Sequence, residues 1–192
     1  MQIATSKDKK LVIDILCSAF EHNKSVNFIV IQDDKKALRI RDLMGYAFDT
    51  CLLFGNVFLD DEQKGCALVM FPELKKTNLR SVWLDLKFIF KVVGLNNLRK
   101  TLARESKVKA IQPRERMAYL WFIGVDANAQ QSGFGQKLMI ELIEKMSAEQ
   151  RPIYLETSML ATIPWYQKNG FKIYHTLDIN YELFFLKREL LP

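Results

Sequence analysis

The chain has 192 residues, room for one substantial domain, and its 49% hydrophobic and 11% aromatic content excludes a disordered segment. Twenty-eight Lys and Arg against 22 Asp and Glu leave a net charge of +6, a basic balance that suits an anionic partner without choosing one. The longest uncharged run, Thr157–Gln167, is far short of the ~20 apolar residues of a membrane-spanning helix.

In chain order, Leu11, Ile15, Leu16 and Ala19–Phe20 recur at helical spacing after Ser6, an expected N-cap. A second helical run covers Ala37–Phe54. Asn56–Asp60 and Gly65–Phe71 are short apolar stretches around a polar connection, which predicts an antiparallel hairpin. From Leu79 to Lys109 the pattern is again helical, with an interruption expected near Gly94–Asn97 and a stop at Pro113. Trp83, Phe88 and Phe90 of this insert read most simply as core. Ala118–Val125 is nearly all apolar or aromatic and predicts a central strand buried on both faces. Leu138, Met139, Leu142, Ile143 and Met146 form one stripe of the clearest helix. Ile153–Thr157 then reads as a strand, Ile163–Lys168 as a short helix stopped by Asn169-Gly170, and Phe171–His175 and Tyr181–Leu186 as closing strands. The order predicts a single α/β domain with a mixed, partly parallel sheet.

Seven basic residues, Arg99, Lys100, Arg104, Lys107, Lys109, Arg114 and Arg116, lie close together with only Glu105 and Glu115 among them. They are not interleaved with aromatics and no nucleic-acid module is recognisable, which argues against nucleic-acid binding. The opening MQIATSKDKK has neither a hydrophobic region nor a small-residue cleavage site, so a cytoplasmic chain is expected. Cys17, Cys51 and Cys66 are odd in number and lack metal-type spacing, so they read as buried free thiols, with no metal expected.

The informative segment runs from Val125 to Gly135, joining an apolar strand to an amphipathic helix through Gly133-x-Gly135. Glycines let backbone approach a ligand closely, and the free N–H groups of a first helical turn point at an anion. A dinucleotide fingerprint fails because Leu138 stands at the third glycine position, and no register supplies a Walker loop. On these residues alone, a phosphate site and a helix start whose glycines merely permit tight packing both remain open.

Gln130-x-x-Gly133-x-Gly135 after a strand ending in valine closely resembles the Q/R-x-x-G-x-G/A acyl-CoA motif of the GCN5-related N-acetyltransferases. Leu155-Glu-Thr and Trp165-Tyr166-Gln-Lys-Asn-Gly170-Phe171 resemble that family's fifth strand, short helix and Y-x-x-x-G-F turn. The resemblance is good over Tyr119–His175; upstream only the order of elements matches, with the helical insert as a variation. It implies a sheet of six to seven strands flanked by helices and split between the fourth and fifth strands, with the insert before the fourth.

It also implies acetyl-CoA as co-substrate and an amine acceptor. The backbone at Gln131, Ser132, Gly133, Phe134, Gly135 and Gln136 would hold the pyrophosphate, with Gln130 bracing the loop. Backbone groups of Ile123, Gly124 and Val125 would pair with the pantetheine arm, and Tyr166 would protonate the departing thiolate. Two departures stand out. Thr162 occupies the place of an asparagine that contacts pantetheine in many relatives, leaving a hydroxyl contact there. Gln131 replaces a usual glycine, and Gln130 the commoner arginine, which removes one charge from the phosphate site.

The acceptor side carries no comparable pattern. Glu73, Glu115 and Glu156 are candidate bases, each with a structural reading beside it, while His22 and His175 read as solvated or structural. Direct transfer to a primary amine is the leading expectation; the alternative is an acyl-CoA-binding sensor without catalysis, compatible with the changes at Gln131 and Thr162. The acceptor's identity and any homo-oligomer stay open. So does the basic stretch, which either attracts coenzyme A's phosphates or faces solvent.

Overall fold

The computed structural model describes residues 1–190. Three helices, α1 (Lys9–Phe20), α2 (Lys24–Ile29) and α3 (Lys36–Phe54), follow a two-residue strand β1 (Gln2–Ile3). The hairpin β2 (Gly55–Leu59) and β3 (Gly65–Met70) comes next, then the insert of α4 (Leu79–Phe88), a π-helical turn (Ile89–Val93) and α5 (Gly94–Ile111). β4 (Ala118–Val125), α6 (Phe134–Ala148), β5 (Ile153–Thr157), α7 (Ile163–Lys168), β6 (Lys172–Asp178) and β7 (Glu182–Arg188) complete the chain. All seven strands form one sheet in the order β1-β2-β3-β4-β5-β7-β6. Every neighbouring pair is antiparallel except β4–β5.

The sheet carries a core on each face. Alternation sends Val57, Leu59, Cys66 and Leu68 of the hairpin towards α1 and α3, and Phe58, Ala67 and Val69 towards α6. On the α6 side lie Leu138, Met139, Leu142 and Met146, four residues of the stripe that the sequence predicts. α5 lies on the opposite face, where its Val108 meets Leu183 and Phe185 of β7.

Several expectations change. The first helical segment is capped by Thr5, not Ser6: the Thr5 side chain accepts from the Lys7 amide and Asp8 accepts from the Thr5 amide, opening a 3-10 turn before α1. β1 and α2 are too short to generate a periodic signal. The break in the insert falls at Ile89–Val93, ending at Gly94, whose φ of +69° suits glycine and whose added Cβ would sit 2.6 Å from Ile31 Cδ1. Trp83 is exposed, not core, because α4 turns only its Ser81–Leu84 side fully inward; Phe90 is exposed too, because the π-helical turn buries Val92 and Val93 instead, and Phe88 is half-buried.

β4 also differs. Its residues alternate between buried and half-buried instead of being buried throughout. Leu68 pairs with Phe122 but Val69 with Leu120, so Trp121 is an extra residue, a β-bulge. The bulge switches the faces: Leu120 packs in the α6-side core and Phe122 in the α1-side core, although the two are two residues apart.

Candidate active site

The parallel pairing of β4 and β5 stops after two rungs, Ala118 with Ile153 and Tyr119 with Tyr154. Beyond them β4 continues to Val125 beside β3, while Leu155, Glu156 and Thr157 pair only with β7. The two central strands therefore fork, and the β5-side backbone groups of β4 from Leu120 onward, including those of Ile123, Gly124 and Val125, have no strand partner. The split predicted between the fourth and fifth strands is present, and the bulge at Trp121 lies at its base.

After β4, the chain enters the loop through Asp126, which accepts from the Asn128 amide at 2.8 Å by its side chain and from the Ala129 amide at 2.8 Å by its carbonyl. Gln131 and Gly133 both take left-handed backbone, φ +62° and +84°. No side chain caps α6 at Gly133, so the N–H groups of its first turn are left to solvent or to an anion. A Cβ at Gly133 would meet no atom within 4 Å, so its surroundings are open, whereas one at Gly135 would lie 3.3 Å from Val125 Cγ2. Gln130, Gln131, Ser132 and Gly133 are exposed; Phe134, Gly135 and Gln136 are half-buried.

The Gln130 side chain makes no hydrogen bond among the described residues, and its carbonyl accepts from Ser132 Oγ at 3.5 Å. The bracing expected of it falls instead to Asp126, and to Ser18, whose Oγ accepts from the Ala127 amide. Gln136 has a role the motif did not suggest. Its Oε1 accepts from Trp165 Nε1 at 2.9 Å and its Nε2 donates to Asn169 Oδ1 at 2.7 Å, tying the start of α6 to both ends of the α7 segment.

Tyr166, on α7, is 9% exposed, its ring against Trp165 and Phe171 in the α6-side core. Its hydroxyl has no hydrogen-bond partner among the described residues, and the side chain lines a cavity of about 410 Å³ that lies mainly on the other face, reached through the fork. Burial holds the phenol above the ordinary tyrosine pKa, so it stays protonated at neutral pH. Thr162 lies off this cavity, and its hydroxyl already donates to the Met159 carbonyl at 2.8 Å.

Three parts of the chain wall the cavity: α1–α3 with Phe20 and Tyr46, the insert with Phe88 and Leu102, and the fork with Trp121 and Ile123. Tyr46 stacks on Phe88 at 4.4 Å and donates to Asp85 at 2.7 Å. Among the three candidate carboxylates the structure discriminates. Glu73 is paired with Arg151, Glu115 accepts from Tyr154, and Glu156 alone lines the cavity. Glu156 accepts from Tyr119 Oη and, at 2.8 Å, from Gln112 Nε2. Its carboxyl pKa is raised, chiefly by desolvation.

His22 and His175 are exposed and do not line the cavity. The basic stretch divides: Arg104 is buried against Tyr181, Ser25 and Glu105, while Arg99, Lys107, Arg114 and Arg116 are exposed. The α5 part of it packs on the face opposite α6, so it does not flank the α6 loop.

The sequence profile described as the acetyltransferase (GNAT) family matches residues 19–171. The chain belongs to the GNAT acetyltransferase family. Solved structures share the GNAT fold along its whole length. One is a histone acetyltransferase HPA2 and related acetyltransferase from Corynebacterium glutamicum, 20% identical, with a TM-score of 0.70 over 100% of this chain and 96% of that one. Another is arylalkylamine N-acetyltransferase 2 from Aedes aegypti, 14% identical, with a TM-score of 0.64 over 99% and 98%. A Bacillus subtilis acetyltransferase in complex with CoA, 16% identical, gives 0.54 over 99% and 97%. At these identities the likeness is one of fold.

The uncapped α6 N-terminus, the open space at Gly133 and the unpaired edge of β4 fit a pyrophosphate followed by an extended amide-bearing arm. Among the described residues no helix is long and apolar enough to cross a membrane, and no group of three or more His, Cys, Asp or Glu side chains is placed to hold a metal ion.

Proposed function

We propose that this GNAT protein is an acetyl-CoA-dependent N-acetyltransferase that moves the acetyl group directly to a primary amine. The observation that carries the reading is Tyr166: a protonated, unpartnered phenol at a fork whose open strand edge and α6 loop suit coenzyme A, facing a cavity with room for a second substrate. The Gln131–Gln136 backbone would hold the pyrophosphate, and the free edge at Ile123, Gly124 and Val125 the pantetheine arm. Thr162, with its proton committed to Met159, is left only as an acceptor.

In the transfer, the neutral amine nitrogen attacks the thioester carbonyl carbon and the C–S bond breaks with its electron pair on sulfur. Tyr166 gives its proton to that thiolate, and the proton lost by the nitrogen restores the phenol. Among the described residues no cysteine lines the cavity to form an acyl-enzyme, which supports direct transfer. Three free thiols suit the reducing cytoplasm.

The test is thiol release from acetyl-CoA over an amine panel, with Tyr166→Phe alongside. Release that requires an amine and drops steeply in Tyr166→Phe, with coenzyme A binding retained, is the expected result. Binding of acetyl-CoA with no release for any amine would instead identify an acyl-CoA sensor.

A further inference from the structure

The cavity's polar groups are not distributed evenly. Arg104 is matched by Glu105 and held by Tyr181 and Ser25, so that charge is already satisfied. Asp85 is half-buried and takes the Tyr46 hydroxyl. Lys75 and Lys109 lie at the exposed rim. Glu156 differs from these in its position. It stands on β5 two residues beyond the last rung shared with β4, at the base of the fork, and lines the same cavity as Tyr166. Both of its donors, Tyr119 and Gln112, are neutral, and no cation lies within ion-pairing distance among the described residues. A half-buried carboxylate whose hydrogen-bond donors are neutral, with Arg104 acting on it only from beyond ion-pairing distance, has its desolvation only partly offset.

Around this carboxylate the walls are apolar and aromatic, with Phe20, Phe88 and Trp121 among them. The volume of about 410 Å³ sits within the ~300–1,000 Å³ of small-molecule sites. Of the three carboxylates on the cavity wall, Glu105 is paired with Arg104 and Asp85 lies on the insert, so Glu156 is the one on the forked strand beside Tyr166; a countercharge there, next to aromatic walls, suits a ligand with a cationic end and a compact apolar body.

Resting on the acetyltransferase reading, we propose that Glu156 is the carboxylate that receives the acceptor's ammonium group, and that the acceptor is a small primary amine with an aryl or bulky apolar body. Tyr119 and Gln112 are positioning residues that fix the Glu156 oxygens. On arrival, the ammonium pairs with the carboxylate and passes one proton to it, leaving the neutral amine and a protonated Glu156. The raised carboxyl pKa favours that exchange. A polyamine would bring its further cations to a wall whose Glu105 is already paired with Arg104 and whose rim carries Lys75 and Lys109, and a peptide terminus would need room for its own polar backbone.

The experiment separates binding from turnover. In the complex with coenzyme A, which cannot transfer, binding of 2-phenylethylamine and of its uncharged analogue 2-phenylethanol is titrated in wild type, Glu156→Gln and Glu156→Asp. The expected result is a loss of about tenfold or more for the amine in Glu156→Gln. Partial recovery in Glu156→Asp, unchanged 2-phenylethanol binding and an unchanged coenzyme A thermal shift are expected with it. Equal amine affinity in wild type and Glu156→Gln would overturn the role of Glu156, whether or not transfer occurs. Separately, kcat/KM is measured for 2-phenylethylamine, spermidine and a short peptide with a free N-terminus. Preference for 2-phenylethylamine supports the substrate class, and preference for either other amine overturns it while leaving the transferase reading intact. If none releases thiol although the amine binds at Glu156, the transferase reading fails and the ammonium site stands.

Discussion

The segment Ala118–Phe171 builds the proposed coenzyme A side of the site from local backbone geometry: a bulge at Trp121, left-handed residues at Gln131 and Gly133, an uncapped helix start and a short helix carrying Tyr166. The proposed acceptor side is assembled from contacts between distant residues, Gln112 with Glu156, Tyr46 with Asp85 and Arg104 with Tyr181, at separations of 44, 39 and 77 positions. A side built from one contiguous stretch presents the same backbone shape to the same coenzyme with few residue requirements. A side built from an insert can change its walls without disturbing that shape, so the two halves answer differently to mutation.

The largest effect is expected at Tyr166. Tyr166→Phe removes the proposed proton donor and is expected to lower kcat by ~10²–10⁴-fold with little change in coenzyme A affinity, read by thiol-release kinetics and titration. A comparable loss of binding would mean that the residue belongs to the coenzyme A side alone.

Gln136→Ala comes next, because it leaves Trp165 Nε1 and the Asn169 amide without their partner. The expected cost is ~1–3 kcal/mol of stability by denaturant titration, with a fall in kcat as α7 loosens. Gly133→Ala forces a side chain into the left-handed region at φ +84° but into open space. It is expected to cost ~1–2 kcal/mol from the backbone alone, with weaker coenzyme A binding and unchanged amine binding.

On the acceptor side, Glu156 gives a pH signature with a definite sign. Its folded-state pKa is raised above the ordinary carboxylate value, mainly by desolvation and slightly by Glu105, against lowering by Tyr119, Gln112 and Arg104. The native state therefore binds more protons than the unfolded one between those two values, and stability falls as pH rises through that window. Glu156→Gln is expected to melt higher than wild type at neutral pH, with the gap shrinking once the pH is below the ordinary carboxylate range. The smallest effect is at Gln131, where glycine relieves the left-handed backbone but adds unfolded-state entropy, for a net gain of at most ~1 kcal/mol in thermal melts.

Legibility in the sequence follows the same divide. The helix of Leu138, Met139, Leu142 and Met146, the hairpin and the Gly133-x-Gly135 turn are visible because period, composition and turn residues are local. The bulge at Trp121 is hidden, since an all-apolar strand has no alternation whose reversal would show it. Trp83 and Phe90 look like core because aromatic content does not say which side of α4 and of the π-helical turn after it meets the protein. Glu156 could not be told from Glu73 and Glu115, because what separates them is partners: Arg151 for one, Tyr154 for another, a cavity for the third. The signal that could have raised it is its place in Leu155-Glu156-Thr157, a charged residue in an otherwise uncharged strand at the fork.

The basic balance also sorts along this line. Arg104 is spent inside the acceptor half, and the exposed members of its segment belong to α5 and the turn after it, away from the α6 loop. That loop carries no charged side chain from Ala127 to Gln136, so its attraction for an anion comes from backbone amides.

The most direct test of the account is mass-spectrometric detection of acetylated product beside free coenzyme A thiol, after incubating the purified protein with acetyl-CoA and a panel of primary amines. The account predicts acetyl-amine and free thiol in equal amounts, with both nearly abolished in Tyr166→Phe. Retained acetyl-CoA with no product from any amine, or undiminished product from Tyr166→Phe, would contradict it.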